Sequence, residues 1–241
     1  MPRMRPAKKG AARLWEILSR DLDGIFLSEA LAMLACAPAA ILAGIALWLG
    51  SLPLCLLAAA AAGWLVGPAL TCLYDTILRA LRDEPGFWWH TYKRVWKQSF
   101  KSSLVPGIVF TLLWTLVAYA AFVLPQMTTV SAGFALVLDM VLLLTLGSYY
   151  WMQNALFDAP VSKKLSNCVR MLLGFLPRTA LSAVFQLGYW LLMAVVIPRC
   201  AFIFLLTGLW LPNLLAMLAV YAPVEKSLHL EEQIQAKREN D

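Results

Sequence analysis

No charged residue occurs between positions 30 and 74. As one helix this run of 45 residues would extend roughly 67 Å at ~1.5 Å per residue, about twice the thickness of a bilayer's hydrocarbon core. It must double back. Residues 49–53 read "LGSLP" and bring Gly and Pro to the middle of the run, where a turn is needed. Two spans are therefore predicted, over 30–49 and 54–73.

Three further uncharged stretches follow, at 102–138, 179–198 and 200–224. Further spans are predicted over 104–124 (closed by Pro125), 134–157 (which carries Asp139), 180–197 and 200–221. The chain is 61% hydrophobic and 14% charged, where a water-soluble domain carries about 25% charged residues. The expected fold is all-α: a polytopic membrane bundle of about six transmembrane helices with amphipathic cytosolic helices. Residues 1–29 read as a cytosolic N-terminal segment, 30–222 as the bundle and 223–241 as a charged cytosolic tail.

The basic residues orient this scheme. Of 20 Lys and Arg, all but Arg199 fall before the first span, between spans two and three, between spans four and five, or after span six. The positive-inside rule places those segments and both ends in the cytosol. A repeat is suggested as well. Tyr74-Asp75 and Phe157-Asp158 each open a basic amphipathic stretch that closes on a proline, Pro106 and Pro177.

The first of these stretches, "RDEPGFWWHTYKRVWKQSFKSS" (82–103), carries the most information. On a helix over 86–102, Trp88, Trp89, Tyr92, Trp96 and Phe100 share one face. Lys93, Lys97 and Lys101 form the neighbouring stripe, with Arg94 beyond it. Rings and cations on separate faces disfavour a nucleic-acid surface, which needs both together. They predict an in-plane helix with its rings at the headgroup level and its cations toward anionic lipid headgroups or an acidic partner. A helix that simply seals the end of the bundle fits the same pattern. The second stretch, 162–176, predicts a companion helix with Leu165, Val169, Leu172 and Leu173 toward the bilayer.

The segment "GPALTCLYDTILRALRDEPGFWWHTYKRVWKQSFKSSLVPG", with its Gly-Pro-Ala, its Phe-Trp before a basic helix and its "WKQSFK" before a new span, resembles the YesL-like family of bacterial membrane proteins. "LFDAPVSKKLSNCVRMLLGFLPRTAL" is similar to that family's later segment. The resemblance implies a multi-pass protein of the bacterial cytoplasmic membrane. It also implies a role assisting other transport subunits, carbohydrate ABC importers among them. It brings no catalytic residues.

Polar residues inside the spans are the remaining candidates. Asp139 is the one carboxylate deep in a predicted span, and Arg199 lies on the same outer side as its expected partner. Such a pair serves as a structural tie or as an ion site; otherwise Asp139 is a headgroup-level residue with no role of its own. Gln153 and Asn154 lie at the inner end of span four, Gln186 in span five and Asn213 in span six. These four predict interhelical hydrogen bonds or a polar cavity. Neither His90 nor His229 belongs to a metal or catalytic motif, and the five cysteines have no metal-ligand spacing. No enzyme, metal or cofactor is expected, and the coupling motif of importer permeases is absent. An accessory subunit of a membrane complex, an autonomous transporter or channel, and an enzyme of lipid-linked substrates remain as functional classes, in that order.

Overall fold

A computed structural model describes residues 11–84, 87–123, 130–196 and 201–228. Eight helices make up the described chain: α1 (Ala11–Trp48), α2 (Leu52–Leu81), α3 (Trp88–Val123), α4 (Val130–Leu156), α5 (Val161–Gly174), α6 (Leu176–Val196), α7 (Ala201–Thr207) and α8 (Trp210–Leu228). No strand occurs among the described residues. Five helices, α1 to α4 and α6, are long and apolar enough to cross a membrane. Their outward faces carry large apolar side chains. Trp48 is 84% exposed, Phe134 72% and Leu57 67%. Lipid tails solvate such a surface and water does not.

The predicted hairpin at 49–53 is present. Gly50 takes a left-handed φ of 65°. The Ser51 and Gly50 amides reach back to the Ala46 and Leu47 carbonyls, which closes α1 with a Schellman motif. α2 ends in the same way with a different residue. Asp83 holds φ 55°, and the Glu84 amide donates to the Arg79 carbonyl. An aspartate tolerates this conformation less well than glycine. Here its carboxylate is gripped from α1 by Arg13, at 2.9 Å, and by Arg20. Arg13 also donates to the Leu81 carbonyl at 2.7 Å. The start of α1 is thereby clamped to the end of α2. Desolvation opposes ionisation of Asp83, but the two guanidinium groups outweigh it and hold the carboxyl below its ordinary value.

α2 lies at the centre, against α1, α3, α4 and α8. Its seam with α3 is built from small residues. A Cβ on Gly67 would collide with the Ser103 carbonyl, and one on Gly63 with the Ile108 backbone. A Cβ on Gly107 would come within 2.8 Å of the Gly67 Cα. With no side chains between them, the two backbones touch. Thr111 Oγ1 crosses the seam to the Ala59 carbonyl at 2.9 Å.

This seam corrects one expectation. The predicted in-plane helix over 86–102 is not separate: α3 runs unbroken through Pro106. Proline forfeits one helical hydrogen bond, and in a membrane helix packing on a neighbour compensates for that loss. Ser103, Gly107 and Thr111 dock on α2 on both sides of Pro106. The companion stretch does separate. Phe175 leaves the helical conformation after α5, and Pro177 enters the first turn of α6, where its missing N–H costs nothing. α1 likewise continues the predicted N-terminal segment into the first span without a break.

The sixth predicted span, 200–221, is not one helix. It breaks at Gly208 and Leu209 into α7 and α8. Glu29, 1% exposed, fills the break from α1. Its Oε1 accepts the Leu209 amide at 2.6 Å. A side chain at Gly208 would strike Glu29 and Met33. The core below joins Ile17 and Ile25 of α1, Ile77 and Leu78 of α2, Tyr149 to Met152 of α4, and Met217, Val220 and Val224 of α8.

The seam and the clamp each generate a test. Gly67→Ala and Gly107→Ala should destabilise the folded protein in detergent by about 1–3 kcal/mol, because backbone cannot step aside. Gly44→Ala meets open space and should be neutral or gain up to about 1 kcal/mol. Asp83→Asn keeps a residue suited to the left-handed turn and removes the charge. At neutral pH it should lose up to about 1 kcal/mol. A lowered carboxyl pKa gives stability that is present above the unfolded value of 3.8 and is lost as pH falls through the folded value. The wild-type and Asp83→Asn unfolding midpoints should therefore converge in acid.

Candidate functional site

The first four turns of α3 carry a row of rings in mutual contact. Trp88 and Trp89 both meet Tyr92, Tyr92 meets Trp96, and Trp96 meets Phe100, with centroids 5.6 to 6.3 Å apart. The row was expected at the lipid interface or as a seal on the end of the bundle. It turns inward, as a seal does. Tyr92 and Val95 are buried against Cys72 of α2, with Leu31 of α1 beside them. Trp88 Nε1 donates to Ser28 Oγ of α1 at 2.6 Å, and Ser28 is itself 2.9 Å from Thr76 Oγ1. Burying the rings against protein and satisfying the indole N–H outcompetes a place at the interface. Trp89 alone of the three tryptophans stays substantially exposed.

Lys93, Arg94, Lys97 and Lys101 all face outward. Lys93 Nζ sits 4.6 Å from the centre of the Trp89 ring, a cation–π contact. None of the four makes a salt bridge among the described residues. α3 has 36 residues, roughly 54 Å of helix, against about 30 Å of hydrocarbon. The helix is longer than that slab is thick, and its basic first turns are anchored on α1 and α2.

α5 completes this end. Leu165, Val169 and Leu173 are exposed as an apolar stripe, as predicted, while Leu172 packs toward the core. Lys163 and Arg170 face out beside the stripe. Lys164, which the sequence reads as one more surface cation, is 2% exposed. Its Nζ donates to Asn154 Oδ1 at 2.7 Å. The Asn154 amide in turn donates to Thr71 Oγ1 at 2.9 Å and to Ser103 Oγ at 2.8 Å. Those two hydroxyls are 2.9 Å apart. One cluster thus joins α2, α3, α4 and α5. Gln153 seats α5 from the next position, reaching the Cys168 sulfur at 3.2 Å and the Lys164 carbonyl at 3.4 Å. Burial pushes the Lys164 ammonium below the ordinary lysine value, and the Asp158 carboxylate offsets part of that.

The other predicted polar residues also find partners. Gln186 donates to Ser148 Oγ at 2.9 Å, and Asn213 Oδ1 accepts the Tyr74 hydroxyl at 2.8 Å. Asp139 lies nine residues after the start of α4, roughly 14 Å along its axis, on an exposed face of the bundle. Its expected partner Arg199 lies outside the described residues, as does His229. His90 is exposed and packs on Phe87 at 5.5 Å. No group of three His, Cys, Asp or Glu side chains among the described residues is placed to hold a metal ion. Sequence reading missed Lys164, Glu29 and the Asp75–Arg79 ion pair at 2.6 Å. The i,i+4 spacing of Asp75 and Arg79 was the one signal available.

Residues 44–120 match a family described as a protein of unknown function, DUF624. The match takes in the glycine seam and the whole ring-and-cation segment of α3. No curated protein and no solved structure matches the chain.

The cluster around Asn154 makes a separable prediction. Asn154→Leu strands the buried Lys164 ammonium and takes a donor from two hydroxyls that keep each other, and should destabilise by about 3–5 kcal/mol. Lys164→Met on the Asn154→Leu background should recover part of that loss. Additive losses in the double-mutant cycle would show that the two side chains do not act together.

Proposed function

We propose that the chain is a non-enzymatic, multi-pass membrane protein that serves as an accessory or interaction subunit of a membrane transport complex. A YesL-like role beside a carbohydrate ABC importer is the most specific form of this reading. In it the protein lies in the bacterial cytoplasmic membrane with both ends in the cytosol. The observation that carries it is the outward row of Lys93, Arg94, Lys97 and Lys101. The row sits on a helix of 36 residues, longer than a bilayer's hydrocarbon is thick, and is pinned to α1 and α2 by Trp88 and Tyr92. A row of exposed cations at a membrane surface suits an acidic protein partner, and anionic headgroups compete for the same charges.

A second reading, an autonomous small-solute transporter, draws on a central cavity of about 590 Å³ between the helices. The two readings separate by flux: purified protein in liposomes moves a solute only under the second.

Lys93→Gln, Lys97→Gln and Lys101→Gln together should leave insertion and thermal stability unchanged. In mild detergent at low salt they should reduce co-purified partner protein by about tenfold. Vesicles with and without anionic lipid measure the headgroup contribution separately. Full partner recovery by the triple variant at every salt concentration would eliminate the docking reading.

A further inference from the structure

The central cavity has a chemistry of its own. Its walls are apolar, with Phe110 and Trp114 from α3, Trp151 from α4 and Trp190 from α6. No charged residue lines it among the described residues. Its polar groups include two hydrogen-bonded pairs, with Thr111 and Thr115 beside them. Tyr74 donates to Asn213 Oδ1 at 2.8 Å. Ser148 accepts from Gln186 at 2.9 Å. These bonds use the oxygen of Asn213 and the nitrogen of Gln186. Among the described residues the Asn213 amide nitrogen and the Gln186 amide oxygen make no hydrogen bond of their own, so one donor and one acceptor stay available at the cavity wall.

We propose that this cavity binds a single long-chain alcohol or prenol-type lipid, with its chain along the tryptophan-lined wall and its hydroxyl between Asn213 and Gln186. The volume falls within the ~300–1,000 Å³ of ordinary ligand pockets. An ion or a carboxylate would be buried there without a counter-charge, which is costly. A sugar would leave most of its hydroxyls unpaired against aromatic and aliphatic walls. A hydroxyl both donates and accepts, which matches the two free amide atoms. The bilayer also offers a route in. Cys36, Ala40 and Ala43 of α1 line the cavity, yet α1 packs on α2 and makes no extensive seam with α4 or α6. A chain can enter sideways at that edge. This site is separate from the basic row of α3, so its failure and that of the docking reading are independent.

Delipidated full-length protein is titrated with hexadecanol, hexadecane and hexadecanoate in detergent, and adducts are counted by native mass spectrometry. One saturable hexadecanol adduct is expected, with hexadecane and hexadecanoate each weaker by about tenfold. Ala118→Phe fills the wall and should abolish the adduct at unchanged melting temperature. If that variant proves unstable, Ala43→Leu on α1 takes its place. Gln186→Leu should bind alcohol and alkane alike. The proposal is overturned if no saturable adduct forms, if hexadecanoate binds as well as the alcohol, or if a folded cavity-filled variant retains full occupancy.

Discussion

Everything in this bundle hangs on the contact of two bare backbones. In a bilayer, burying another leucine gains little, because the lipid tail it displaces is equally apolar. Close approach must supply the attraction instead. Gly63, Gly67 and Gly107 allow α2 and α3 to touch along their backbones. The contact fixes which faces of α3 look inward at either end. Toward one end it sets Thr111 on the Ala59 carbonyl, and toward the other it sets Ser103 beside Thr71. Asn154 bridges those two hydroxyls, and Lys164 answers Asn154. The same rotation carries Tyr92 onto Cys72 and leaves Lys93, Arg94 and Lys97 outside.

That dependence explains which parts could be read from the chain. The helical membrane class and the first hairpin are local properties. An uncharged run has to be helical in lipid, and Gly50 beside Pro53 marks its turn. The separation of rings from cations on α3 is a matter of spacing and was legible too. The direction of the rings was not. Tyr92 turns inward because of a partner on α2, and nothing within 86–102 announces it. Pro106 misled for a related reason. A proline stops a helix left to itself, but one flanked by residues docked on α2 is carried through. The last span looked continuous because Leu, Trp and Phe surround Gly208. Only Glu29, far away in sequence, shows why the helix can break there.

The polar residues divide in the same way. Gln153, Asn154, Gln186 and Asn213 were singled out because amides are scarce in spans, and each holds a neighbouring helix. Lys164 could not be singled out, since a lysine in "SKKL" beside a second lysine reads as surface. Its burial follows from the geometry of α5. A 14-residue helix packed on α4 turns one face in, and the face bearing Cys168 and Met171 also bears Lys164.

The Glu29 bond also sets an order of events in synthesis. Its two partners stand 180 positions apart. At about 5–20 residues per second, roughly 9–36 s pass between the appearance of that carboxylate and of the amide it will hold. Throughout that interval the Glu29 carboxylate lacks the amide that donates to it in the finished bundle. The turn before α8 then locks α1 in place like a keystone. A chain that ends short of Leu209 leaves that carboxylate without its backbone donor.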